Sequence, residues 1–323
     1  MNRRRFLQCA ATGLMVPSAY AASPLLVRRG VISGTGINPW RTWEFANGIP
    51  SIFKHNGTWS ISGGKLINTP TLGTELLTNG GFDSDTWWAK GDGWSIGGGL
   101  AAKTTSALTS ILGGGDATLT VGTFVRVTLD VVSFYGTIGI YASSSAISGY
   151  APRSVGSLVV TNVAGGTVFR INGTALTICE LDNASCRNIV YNTLPNLVDL
   201  RTPNASITAA VAALTSGTQA GILAHYIDEN NFLYVVFDGA GNIKAVERIA
   251  GTYSANRLSQ ASAFSANDQL QVVSSGGTVT VKKNGTTIGS AFALNAALTS
   301  GTKFGLFSTY SGNQITSCTF AKA

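Results

Sequence analysis

Apolar and polar residues alternate with a period of two along most of this chain, and no stretch sustains the 3.6-residue period of a helix. Phe124-Val-Arg-Val-Thr-Leu-Asp-Val-Val132, Gln269-Leu-Gln-Val-Val273 and Thr278-Val-Thr-Val-Lys282 each put their apolar residues on one face of an extended strand. The same reading predicts strands at 137–141, 176–187, 206–214, 221–226, 232–237, 242–246 and 304–307. Asp228-Glu-Asn-Asn231, Asp238-Gly-Ala-Gly-Asn242 and Asn284-Gly285 are turn sequences between them. Short strands punctuated by turns predict an all-β fold of antiparallel sheets.

One pattern occurs twice. Residues 57–66 read GTWSISGGKL and residues 93–100 read GWSIGGGL. In each copy Trp and Ile stand two apart, so they share a face, and the glycines that follow supply the positive φ of a tight hairpin turn. A solenoid needs at least three copies. Two copies predict the opening hairpins of two separate β-sandwiches.

Between and after these hairpins the sequence resembles two known folds. ELLTNGGFDSDTWW…GWSIGGG at one end and ICELDNASCR at the other are similar to the first and last strands of a family-4/9-like carbohydrate-binding jelly roll. Residues 192–323 resemble a concanavalin A-like lectin/glucanase sandwich, whose usual first hairpin matches residues 57–68. The expected organisation is therefore an N-terminal arm (1–35), a concanavalin A-like sandwich (36–73 plus 191–323), and a jelly roll (74–190) inserted into it. Insertion at a surface turn is well tolerated. The jelly-roll resemblance implies glycan binding, with Trp87, Trp88, Tyr135, Tyr141, Tyr150 and Arg153 as candidate contacts. Of the adjacent Trp87 and Trp88, one is expected to face the core and the other solvent. The same resemblance implies a structural calcium ion with Glu75 and Asp182 as ligands.

Composition narrows the chemistry. The net charge of +7 owes three charges to Arg3, Arg4 and Arg5, and the other basic residues are scattered, so no nucleic-acid stripe is expected. No apolar run is long enough to span a membrane as a helix. Cys9, Cys179, Cys186 and Cys318 have no metal-site spacing, and they read as small buried residues or as a Cys179–Cys186 bridge. There are two histidines, His55 and His225, and His225 lies in an alternating strand as a hydrogen-bonded interior residue. The E-x-D pair Glu180 and Asp182 lies in the jelly roll, and Ser185 stands where a glucanase strand would carry a second Glu. No catalytic residue is assigned. The Asn-x-Ser/Thr sequences at Asn56, Asn172, Asn183, Asn204 and Asn284 read as turn chemistry.

The first residues, MNRRRFLQCAATGLMVPSAYAASP, resemble a twin-arginine export signal with a cleavage site at Ala19-Tyr20-Ala21. The alternative is an uncleaved arm that packs on another subunit. Nested lectin-like sandwiches with few charges and no catalytic set resemble structural proteins of tailed bacteriophages. Three readings stand: a phage fibre, tail or decoration component, homo-oligomeric and binding cell-surface glycan; an exported polysaccharide-binding protein; and a glycan-cleaving enzyme.

Overall fold

A computed structural model describes residues 39–142, 145–148 and 155–323. The expected arm, with Cys9, and the candidate contacts Tyr150 and Arg153 lie outside the described residues. Four antiparallel sheets form two sandwiches. The smaller sandwich has a five-stranded sheet, in spatial order Ser145–Ser148, Ile138–Ala142, Val168–Gly173, Ser110–Thr118 and Trp88–Lys90. Its six-stranded sheet runs Gly156–Val163, Phe124–Tyr135, Ile178–Ile189, Leu100–Lys103 and Trp94–Gly97, with Leu72–Glu75 also paired to Ile178–Ile189. The larger sandwich packs a nine-stranded sheet built around Gln314–Lys322, Ala205–Ala213 and Asp268–Ser275 on a seven-stranded sheet built around Lys303–Ser308, Ala220–Asp228, Asn231–Phe237 and Asn242–Ile249.

The repeated hairpins lie in different sandwiches. Trp59–Ser62 and Lys65–Asn68 join the nine-stranded sheet, where Leu66 pairs with Ile315, and Trp59 is in the larger core. Trp94–Gly97 and Leu100–Lys103 join the six-stranded sheet, and Trp94 is in the smaller core. Both hairpins turn on paired positive-φ glycines, Gly63 and Gly64 in one and Gly98 and Gly99 in the other. Asn284 and Gly285 make the same turn. Asn172, by contrast, lies within the strand Val168–Gly173 and not in a turn.

Residues 72–189 leave the larger sandwich and return to it side by side. Fully buried Asn68 donates through Nδ2 to the carbonyls of Thr193 (2.9 Å) and Ser308 (2.7 Å). The Thr193 hydroxyl donates to Val190 O and accepts from Thr71 N, and Val190 N donates to Thr71 O at 2.9 Å. The two crossings are thus tied by buried hydrogen bonds, each worth about 0.5–1.5 kcal/mol net.

A cluster of rings joins the sandwiches. The strand Asn231–Phe237 is apolar on both faces. Leu233, Val235 and Phe237 point into the larger core, while Phe232, Tyr234 and Val236 point outward. That outward face receives Phe124 from the smaller sandwich, whose ring lies 5.5 Å from Phe307, 6.1 Å from Tyr234 and 6.0 Å from Tyr253. Tyr191 stacks on Phe232 at 5.1 Å and Ile189 completes the cluster. Phe124 is 1% exposed.

Replacing Phe124 by Ala should cost roughly 3–5 kcal/mol. Because each sandwich keeps its own core, calorimetry of Phe124→Ala should show two unfolding transitions where the parent shows one. An unchanged single transition would show that the seam does not couple them.

Candidate functional site

Register across the five-stranded sheet brings distant residues into rows on its outer face. Tyr141 is opposite Arg170, Arg170 is opposite Gly113, and Gly113 is opposite Ala89. In the next row Gly139 is opposite Asn172, and Asn172 is opposite Ile111. The alternate residues Ile138, Ile140, Phe169, Ile171 and Leu112 fill the core, so these rows point away from it. Side chains here are small toward one edge (Ala89, Gly113) and large toward the other (Arg170, Tyr141), which makes a graded surface.

The Tyr141 ring lies over Gly139. A Cβ at position 139 would meet Tyr141 Cε2 at 2.6 Å and its hydroxyl at 3.1 Å. A half-buried ring is thereby laid along the sheet, beside a guanidinium (Arg170) and the amide of Asn172. The Asn172 Oδ1 is buried with no hydrogen-bond partner. A flat ring for C–H faces, with planar amide and guanidinium donors and acceptors for hydroxyls, is the chemistry that sugars require.

Trp87 stands at the edge of the same sheet, 58% exposed, with φ of +74°. Trp88 next to it is 6% exposed, packs 4.9 Å from the Phe82 ring and donates through Nε1 to Asn79 O. Trp88 is therefore an interior residue and is not available to a ligand. The inside–outside split matches the sequence reading, but its cause differs: Trp87 turns in the left-handed region and is not the neighbour of Trp88 on an extended strand. Trp87 lies three strands across from Tyr141 and two residues along from Ala89, the residue in Tyr141's row, so the two are about 16 Å apart along the sheet. Tyr135 is 69% exposed but belongs to the six-stranded sheet, opposite Ile178, and does not share this face.

The residues at the implied calcium position do not fit that ion. Glu75 accepts from Cys186 N (2.7 Å), Arg187 Nε (3.0 Å), the Ser185 hydroxyl and the amides of Leu76 and Leu77. Burial alone would raise its pKa, yet these donors outweigh it and hold the carboxyl below the usual range. A carboxylate spent on a guanidinium and on N–H groups offers little to a dication that needs six to eight oxygens. Asp182 pairs with Asp130 and Ser185 with Thr128, two residues away on the neighbouring strand, so Asp182 is about 7 Å of strand from the near end of the Glu75 clamp. Among the described residues no three His, Cys, Asp or Glu side chains gather.

Cys179, Cys186 and Cys318 are free and buried, and burial pushes the Cys179 thiol up to about 11 and Cys186 to about 12. His225 is 1% exposed, shares a 2.7 Å hydrogen bond with Ser274 Oγ and lies 5.0 Å from the Phe304 ring. A cavity of about 310 Å³ on the larger sandwich is lined by Lys54, His55, Asn56, Asn192, Leu197 and Tyr226, a set that composition alone did not single out.

No family model matches this sequence, and no curated protein matches it. Solved structures with similar folds include the galectin LEC-6 of Caenorhabditis elegans, at 15% identity over 39% of this chain and 90% of that one, with a TM-score of 0.33. The carbohydrate-binding module CBM66 of Bacillus subtilis matches at 10% identity over 73% of this chain and 93% of its own, with a TM-score of 0.23. The GH43 protein BlXynB of Bacillus licheniformis, in a mutant form, matches at 12% identity over 84% and 74%, with a TM-score of 0.31. At such identities the likenesses assign no role to any residue of this chain.

Burial holds the His225 pKa down to about 4, against an unfolded value near 6.5. The unfolded chain therefore binds the extra proton between those values, so stability falls as pH drops from about 6.5 to about 4, by up to roughly 3 kcal/mol. His225→Gln should flatten denaturant-unfolding free energy over that window. Equal slopes in parent and variant would contradict the assignment.

Proposed function

We propose that this protein is a non-enzymatic glycan-binding protein, and that it serves as a fibre, tail or decoration component of a tailed-bacteriophage virion. The observation that carries the binding reading is the outer face of the five-stranded sheet, where the Tyr141 ring lies on Gly139 beside Arg170 and an unpartnered Asn172 oxygen. Exposed Trp87 at the sheet edge offers a second ring. A short oligosaccharide laid across the strands would contact both.

Several carboxylates are committed elsewhere, which supports a non-enzymatic role. Asp238 accepts from Ala240 N, Asn242 N and Lys244 Nζ. Asp268 accepts from Ser265 N and Lys283 Nζ, and buried Glu247 accepts from Asn295 N. Glu180 accepts from Ser133 Oγ, and Asp182 accepts from Asn183 N. These groups hold loops and strands, and one facing pair, Asp182 opposite Asp130, is bridged by the Asn183 side-chain amide, which donates to both carboxylates. In the virion reading, cell-surface glycan is the external partner, and other virion subunits, including further copies of this chain, meet the N-terminal arm.

The Arg3-Arg4-Arg5-Phe6-Leu7 run favours a second reading, export through the twin-arginine route as a polysaccharide-binding protein. Mass spectrometry of the native N-terminus separates the two. An intact N-terminal segment is expected for a virion protein, and a new N-terminus after Ala21 would favour export.

On a glycan array the full chain should bind, and Tyr141→Ala should weaken binding by about 1–3 kcal/mol, on the scale known for aromatic stacking. Gly139→Ala should weaken it similarly by displacing the ring, with little change in stability because only a flexible side-chain end must move. Full retention of binding by both variants would place the site elsewhere. No binding on a broad array would overturn the glycan reading.

A further inference from the structure

At the seam, where the 120–124 turn of the smaller sandwich meets the larger one, a cleft of about 200 Å³ opens. Its walls include Phe124, Ile189, Tyr191, Glu229, Asn230 and Arg248. Arg248 lies on Asn242–Ile249, opposite Phe232 on one neighbouring strand and Tyr253 on the other. Its guanidinium lies 4.9 Å from the Tyr253 ring centroid and 5.8 Å from that of Tyr191, and Nη1 donates to the Tyr253 hydroxyl at 3.3 Å. Its Nε is buried without a hydrogen-bond partner, and so is the Tyr191 hydroxyl. Among the described residues no carboxylate pairs with Arg248.

Two orphan polar groups thus line one small cleft. Burial drives the Tyr191 pKa well above the usual tyrosine range, so its hydroxyl is a proton donor at neutral pH. The arginine is a permanent cation whose planar fork matches a carboxylate. Leaving buried donors unpaired is costly, and a carboxylate would offer acceptors to both groups. Phe124 and Ile189 give the cleft an apolar wall for a C–H face. Exposed Glu229 opposes an anion at the mouth, so affinity should be modest.

We propose that this cleft is a second binding site, taking a carboxylate-bearing sugar unit whose carboxylate accepts from Arg248 and the Tyr191 hydroxyl. The sugar part rests on the glycan reading above, and the carboxylate part does not.

The test is calorimetric titration of the full chain with glucuronate, glucose and inorganic phosphate at low ionic strength. Glucuronate should bind and glucose should not. Arg248→Gln should weaken glucuronate by about tenfold or more, the worth of a charged hydrogen bond. Tyr191→Phe should weaken it several-fold, and Glu229→Gln should tighten it. If Arg248→Gln does not fold, the last two variants decide. Glucuronate held at the sheet face instead would be insensitive to Tyr191→Phe and Glu229→Gln, and the glycan array reads that face separately, which keeps failure of this site distinct from failure at the sheet face. Absence of glucuronate binding overturns the proposal, as does binding insensitive to Tyr191→Phe and Glu229→Gln. Phosphate binding without glucuronate overturns the sugar assignment.

Discussion

The burial of Phe124 among Phe307, Tyr234 and Tyr253 is the contact on which the arrangement of this protein depends. A sandwich has two outer faces, and the larger one would otherwise leave the rings of its seven-stranded sheet in water. The smaller sandwich covers them with the start of Phe124–Tyr135 and the end of Ile178–Ile189, its two longest strands. The buried Asn68–Thr193 bonds hold the two chain crossings beside that contact. One consequence matters for function. The seam uses strands of the six-stranded sheet, so among the described residues no hydrogen bond or core cluster ties the five-stranded sheet to the larger sandwich. Its outer face is therefore not used by the seam.

Much of this architecture was legible in the sequence, for local reasons. Alternating Val, Ile, Leu and Thr placed the strands because period two is a property of the extended backbone itself. Gly63-Gly64, Gly98-Gly99 and Asn284-Gly285 placed hairpins because only such residues enter the left-handed region at low cost. The run Phe232-Leu-Tyr-Val-Val-Phe237 was readable as a strand, and its lack of alternation is the signature of burial on both faces. In the sequence it read only as a strand, and its role at the seam emerged from the structure.

The site was less legible, because it depends on register between distant segments. Nothing local to Tyr141 indicates that Arg170, Gly113 and Ala89 share its row, or that Gly139 leaves room for its ring. The Trp87–Trp88 split was visible as a pair of adjacent rings, but the turn that exposes Trp87 was not. The hydrogen-bonded clamp around Glu75 was illegible for a related reason: its carboxylate meets Arg187 and Ser185, more than a hundred residues away in sequence. Arg248 carried no motif at all, and the lack of an ion-pair partner for it among the described residues is apparent only in three dimensions.

The central claim is that the outer face of the five-stranded sheet holds glycan. Hydroxyl-radical footprinting of the full chain, with and without a bound polysaccharide, tests it most directly, because aromatic side chains report contact individually. The account predicts reduced oxidation at Tyr141 and Trp87, with Tyr135 and Tyr226 unchanged. Unchanged oxidation at Tyr141 and Trp87 under saturating polysaccharide would contradict it.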